Sequence, residues 1–189
     1  MRKRIKYVTF ASIIALVLIL SIGISVAAAG NDFSRGNMGR VQITQLNEEE
    51  IEWLIFMREE EKLARDVYLE LYDMWGLSVF KNIAASEQRH TDAIENLLDK
   101  YGINDPVYDE ENRGNFTNGE LDDLYQELIE KGSISITDAL EVGVMIEKVD
   151  IADLEESLSV TDNTNIERVY NNLLRGSNNH LTAFSLHLD

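Results

Sequence analysis

The stretch SVFKNIAASEQRHTDAIENLLDKYG, residues 78–102, decides how the chain folds. Phe80, Ile83, Ala84, Ile94, Leu97 and Tyr101 recur at the three- and four-residue steps of one helix face, and Gly102 stands just past its end, where helices favour glycine. Inside that apolar stripe sit Glu87 and His90, one turn apart and therefore on the same face. An ionised carboxylate in an apolar interior is costly unless its charge is offset, so this pair requires partners from elsewhere in the chain.

The same signals recur on both sides of it. Asn47, with Glu50 three residues on, predicts a capping box for a helix that runs to about Trp75 and ends at Gly76. Ser78 is the expected cap of the helix that follows. After an irregular stretch holding Pro106 and Gly114, Asn118 or Thr117 opens a short helix through Ile129 that ends at Gly132. Ser135 or Thr137 opens a long helix through Leu158, and Asp162 or Thr164 opens the last, from Ile166 nearly to the C-terminus. The single proline and the scarcity of alternating Val, Ile and Thr runs argue against sheet. The expected fold is all-α: an antiparallel four-helix bundle with one crossover that carries a short extra helix.

The first 29 residues differ in kind. Arg2, Lys3, Arg4 and Lys6 precede an uncharged apolar run from Tyr7 to Ala29, and Ala27, Ala28 and Ala29 offer small residues for cleavage. Residues 1–29 therefore read as a signal peptide or an N-terminal membrane anchor, residues 30–45 as a flexible linker and residues 46–189 as the bundle. The domain is expected outside the cytoplasm, touching membrane only through its N-terminal segment. All 34 acidic residues lie after residue 29, so the domain would repel nucleic acid. With no cysteine, thiol catalysis and cysteine-held clusters are excluded.

Each of the other long helices also carries a polar group in line with its core. In the fourth predicted helix Glu147 follows Ile136, Leu140, Gly143 and Val144, and Asp150 borders the same face. In the last, His180 falls between Leu173 and Phe184, with Ser177 one turn before it. In the first, Glu60 and Glu61 both align with apolar stripes and periodicity leaves them tied, whereas Glu59 aligns with Glu52, Lys62 and Asp66 on an expected wet face. Two accounts of the buried acids compete. Arg58, Arg65 and Arg89 would pair with them in a structural network, or two divalent cations would neutralise acids and histidines contributed at one depth by four helices. The mid-helix placement favours the cations.

The run Glu61-Lys-Leu-Ala64-Arg65-Asp-Val-Tyr68 is similar to the pattern Glu-x-x-Ala-Arg-x-x-Tyr of the rubrerythrin-type erythrins, and Ala84-Ala-Ser-Glu87-Gln-Arg-His90 to their second helix. On these motifs the chain resembles the ferritin-like diiron-carboxylate proteins, and more closely, from about Leu46 to Phe184, a ferritin-like family of bacteria and archaea known as a domain of unknown function. The resemblance implies Glu61 as a ligand in preference to Glu60, Glu87 as a bridging ligand with His90 beside it, Glu147 as the third-helix carboxylate and His180 as the second imidazole. It implies two divalent metal ions, iron first and manganese second, and chemistry toward oxygen or peroxide. One departure bears on the second ion: the pattern Glu-x-x-His of the last helix here reads Ser177-Asn178-Asn179-His180, leaving Asp150 or water to replace the missing carboxylate, or the second ion weakly bound or absent. Tyr68 and Tyr170 are expected near the site, first as core tyrosines anchored by their hydroxyls and second as side chains that hydrogen-bond a ligand or carry a radical. The cysteine-held iron centre of rubrerythrins has no counterpart, so an external electron donor is expected as partner; a homodimer is a further expectation.

Overall fold

Asn47 begins the first helix as its sequence predicts: its side chain accepts from Glu50 N (2.8 Å), and the Glu50 carboxylate accepts in return from Asn47 N (2.9 Å). In this computed structural model, which describes residues 46–188, that helix is α1 (Glu48–Trp75), closed by Gly76 in the left-handed conformation. The predicted export segment and linker lie outside the described residues. Next come α2 (Ser78–Tyr101), α3 (Gly119–Gly132), α4 (Ile136–Val160) and α5 (Thr164–Leu188), and among the described residues there is no strand. Asn118 and Ser135 cap α3 and α4 with their side chains.

Two predicted caps are corrected. Ser78 lies inside α2, whose capping position is Leu77 and carries no side-chain bond, because the two-residue break after Trp75 leaves no room for a longer approach. The cap of α5 is Asn163, whose Oδ1 accepts from Asn165 N (3.0 Å), rather than Asp162 or Thr164.

The four long helices form two hairpins, α1 with α2 and α4 with α5, which pack α1 on α4 and α2 on α5 as a helical bundle. All four contacts are antiparallel. Thr161 donates to Glu50 (2.6 Å) at one end of the α1–α4 pair, while Tyr68 reaches Glu147 further along. Between α2 and α5, Tyr101 meets Asn163 (2.9 Å) at one end and Phe80 meets Phe184 (ring centroids 5.6 Å) at the other. The residues from Gly102 to Ser135 therefore cross the length of the bundle, and α3 within them packs on α1 and α4, with Trp75 Nε1 donating to Gly132 O (2.9 Å). Among the described residues no helix is long and apolar enough to cross a membrane.

Every residue of α1 from Met57 to Tyr68 is buried, including Arg58, Glu59, Lys62, Arg65 and Asp66. This corrects the expected wet face. Its cover is the irregular part of the crossover: Arg58 binds Asp105 (2.9 Å) and Glu110, Arg65 binds Glu110 and Asp66, Lys62 binds Asp66 (2.6 Å) and Asn112 O (2.9 Å), and Glu59 accepts from Thr117 N and Oγ1. Helical periodicity sorts residues into faces but says nothing of an irregular segment lying over one of them.

Candidate metal centre

Four helices deliver the central polar group at one level of the bundle. α1 brings Glu61, α2 brings Glu87 and His90 from one turn, α4 brings Glu147, and α5 brings His180. All five residues are at least nine-tenths buried. On one side lies an aromatic layer, Tyr68, Phe80 and Phe184, with Phe184 5.0 Å from Tyr68 between ring centroids. On the other lies the aliphatic core of Leu54, Met57, Ile94, Leu98, Leu154 and Leu173. Water is thus excluded above and below, and each charge present acts at close to full strength.

Glu87 stands in the middle. Its Oε2 is 2.7 Å from His90 Nδ1 and its Oε1 is 2.8 Å from His180 Nδ1. His90 Nδ1 is also 3.2 Å from Glu61 Oε2, and His180 Nδ1 is 3.6 Å from Glu147 Oε2. Two triads result, Glu61–Glu87–His90 and Glu87–Glu147–His180, and within each the donor atoms lie within 4.8 Å of one another. The two imidazoles stack with centroids 5.5 Å apart. Tyr68 donates to Glu147 Oε1 (2.7 Å), fixing that carboxylate from the aromatic side.

Several buried donor atoms have no hydrogen-bond partner: Glu61 Oε1, Glu87 Oε1, His180 Nδ1 and Asp150 Oδ1. Glu87 Oε1 and His180 Nδ1 lie 2.8 Å apart, close enough for both to bind one cation. The protein without a cation balances its charge with protons. Burial lifts Glu61 to about 7 and Glu147 to about 8. Burial also penalises the charge on Glu87, but the His180 and His90 imidazoles against its two oxygens outweigh it and hold that carboxyl at about 2. The imidazoles respond in kind: burial lowers them, yet Glu61 and Glu87 lift His90 to about 11, while Glu147 and Glu87 lift His180 to about 9.

The remaining predicted residues fall around this core. Glu60 belongs to neither triad; it is buried, and burial first and the charge of Asp153 next push its carboxyl well above the usual range, Asp153 being a residue that sequence reasoning missed although it lies three positions past Asp150 on the same helix face. Asp150 is buried beside Ser177 and held well above the usual carboxylate range by burial and by Glu61 and Glu147. Ser177 itself donates to Leu173 O (3.0 Å). Tyr170 packs in the aliphatic core and its hydroxyl has no partner. Arg58 and Arg65 bind the crossover, and Arg89 donates to Ala85 O (2.8 Å) at the surface. None of the three reaches the central acids.

Comparison with known proteins places these features in a family. A family model described as "Uncharacterized protein domain (DUF2202)" matches residues 50–189. The uncharacterized protein MJ0754 of Methanocaldococcus jannaschii is 57% identical over 139 residues, covering 74% of this chain and 75% of its own. The crystal structure of the hypothetical protein MJ0754 from Methanococcus jannaschii aligns at a TM-score of 0.74 and 56% identity, covering 76% of this chain and 81% of that one. A DUF305 fragment from Deinococcus radiodurans shares the fold at a TM-score of 0.55 with 15% identity, covering 75% of this chain and 96% of that fragment.

Proposed function

The chain belongs to the DUF2202 family, and from the buried cluster at its centre we propose that it is an exported, ferritin-like protein whose Glu61, Glu87, His90, Glu147 and His180 hold two divalent cations, iron first and manganese second. The observation that carries this reading is Glu87, whose two oxygens each face a different imidazole Nδ1 at 2.7 and 2.8 Å. One carboxylate shared between two oxygen-and-nitrogen triads is the donor set that a pair of such cations requires. The partnerless Glu61 Oε1, Glu87 Oε1 and His180 Nδ1 fit the same need.

When bound, reduced iron or manganese would give electrons to oxygen or peroxide; in iron oxidation the ferrous substrate would give them and oxygen or peroxide would accept them. The chain's own contribution is positioning and proton control. Tyr68 holds Glu147 in one orientation, the aromatic and aliphatic layers keep bulk water out, and Glu61 and Glu147 sit poised to take or release protons near neutral pH. Sustained turnover draws on an external electron donor, because the chain has no cysteine to hold a second redox centre. The basic and apolar N-terminal residues support export.

Protein purified from iron-supplied cells is expected to carry about one to two metal equivalents per chain by elemental analysis, falling to background in Glu87→Ala. A folded wild-type protein that takes up no iron or manganese would end the reading. Ser177, where the resemblance calls for a carboxylate, favours a second reading in which the bundle binds metal without turnover. Hydrogen peroxide consumption by the loaded protein separates the two.

A further inference from the structure

The crossover carries a motif that the metal centre leaves unused: Asn115-Phe116-Thr117, the single Asn-x-Ser/Thr in the chain. In exported proteins an asparagine so placed, with any residue but proline before the hydroxyl, is the acceptor for N-linked sugar. Three residues recur by chance, so their placement in the fold decides what they can do. Asn115 lies in irregular backbone between the turn at Gly114 and the cap of α3, and it is exposed. Among the described residues its side-chain amide makes no hydrogen bond, whereas Asn118, three positions on, is occupied in capping α3. A bulky hydrophilic group on Asn115 therefore displaces no native contact.

The rest of the motif is held down. Asn115 O accepts from Lys62 Nζ (3.4 Å). Phe116 is buried with its ring 4.7 Å from that ammonium, and its N–H donates to Asp122 Oδ1 (3.1 Å). Thr117 gives both its N–H and its hydroxyl (3.0 Å) to Glu59.

We infer that Asn115 is an N-glycosylation site, filled by an oligosaccharide from a lipid-phosphate carrier before the crossover docks on α1. Transfer breaks the bond between the sugar's anomeric carbon and the carrier phosphate and joins that carbon to Asn115 Nδ2. The phosphate leaves with the electron pair, and the amide gives up one proton. The Thr117 hydroxyl belongs to the acceptor motif, and in the folded chain Glu59, 2% exposed, holds it. The transferring enzyme therefore acts while the chain is still unfolded, as it is on emerging from a membrane. Once the crossover has docked, Asn115 alone of the free side-chain amides in the motif faces solvent, and the sugar stays on the outer side of α1, which Glu59 and Lys62 share.

The inference rests on the export part of the reading above, and one preparation tests both. Protein from the cells that make it is fractionated and cut with trypsin, which releases Asn115 in the peptide Gly114–Lys131. Mass spectrometry is expected to show that peptide heavier by whole sugar units, with fragment ions placing the added mass on Asn115. Asn115→Gln is expected to abolish the added mass and leave the melting temperature of the unmodified protein unchanged. An unmodified peptide from protein outside the cytoplasm overturns the glycosylation and leaves export standing. Protein confined to the cytoplasmic fraction overturns export and the modification with it. The order of events is read with unmodified protein, a solubilised transferase and its lipid-phosphate sugar donor. Glu59→Ala, which frees the Thr117 hydroxyl, is expected to accept sugar about tenfold faster than folded wild type at unchanged helix content, and equal rates overturn that order.

Discussion

A methyl group added at position 176 would sit 2.6 Å from His90 Nε2 and 2.7 Å from its Cε1. The imidazole cannot swing clear without leaving Glu61 and Glu87, because its other nitrogen is engaged by both. Gly176→Ala therefore displaces His90, the ligand proposed on an adjacent helix, and metal affinity is expected to fall about 10- to 100-fold with the helix content intact, measured by titration against a chelator. An unchanged affinity would mean that His90 is not a ligand. At this scale the sequence was legible wherever a polar residue interrupted a clean stripe, as Glu87, His90, Glu147 and His180 do. It was ambiguous at Glu60 and Glu61, because α1 is enclosed on all sides and its two stripes are both interior. It was silent on Asp153, buried one turn past Asp150 on α4.

At the scale of the element, α1 shows how much an irregular segment can do. Arg58 is 1% exposed, and Asp105 and Glu110, which neutralise it, come from a stretch with no periodicity to reveal them. Arg58→Ala leaves Asp105 without its cation and Glu110 with Arg65 alone, and empties buried volume. A loss of about 2–3 kcal/mol is expected in chemical denaturation, less than for a fully buried pair because both acids still reach solvent. A loss below about 0.5 kcal/mol would show the crossover to be loosely docked. The helix ends were the most readable features, since Asn47, Gly76, Gly102, Asn118 and Ser135 act through local backbone geometry. Glu59 was misread because its cover, Thr117, arrives from fifty-eight residues away.

The whole molecule couples protons to stability. Glu61, Glu147 and Asp153, raised by burial to about 7, 8 and 6, are accommodated best when protonated, so their contribution is complete below the ordinary carboxylate range and is lost as pH climbs through those values. His180 and His90, raised to about 9 and 11, contribute fully below about 6.5 and lose that contribution through the alkaline range. Glu87, lowered to about 2, works in the other direction, and its contribution disappears as pH falls below the usual carboxylate value. The metal-free protein is thus expected to melt highest near pH 5 and progressively lower toward pH 9. Saturating Mn²⁺ reverses the alkaline decline and, at pH 7, displaces about three protons per chain, read from the buffer dependence of the binding heat. A melting temperature that rises steadily from pH 5 to 9 without metal would contradict the assigned protonation.

The two hairpins divide the central donors unequally, Glu61, Glu87 and His90 on one and Glu147 and His180 on the other. Neither half owns a complete pair of triads, for the second borrows its bridging carboxylate from the first. Any cation seated against Glu147 and His180 is therefore also a clasp between the halves, so that loading the protein and locking its two halves together become a single event.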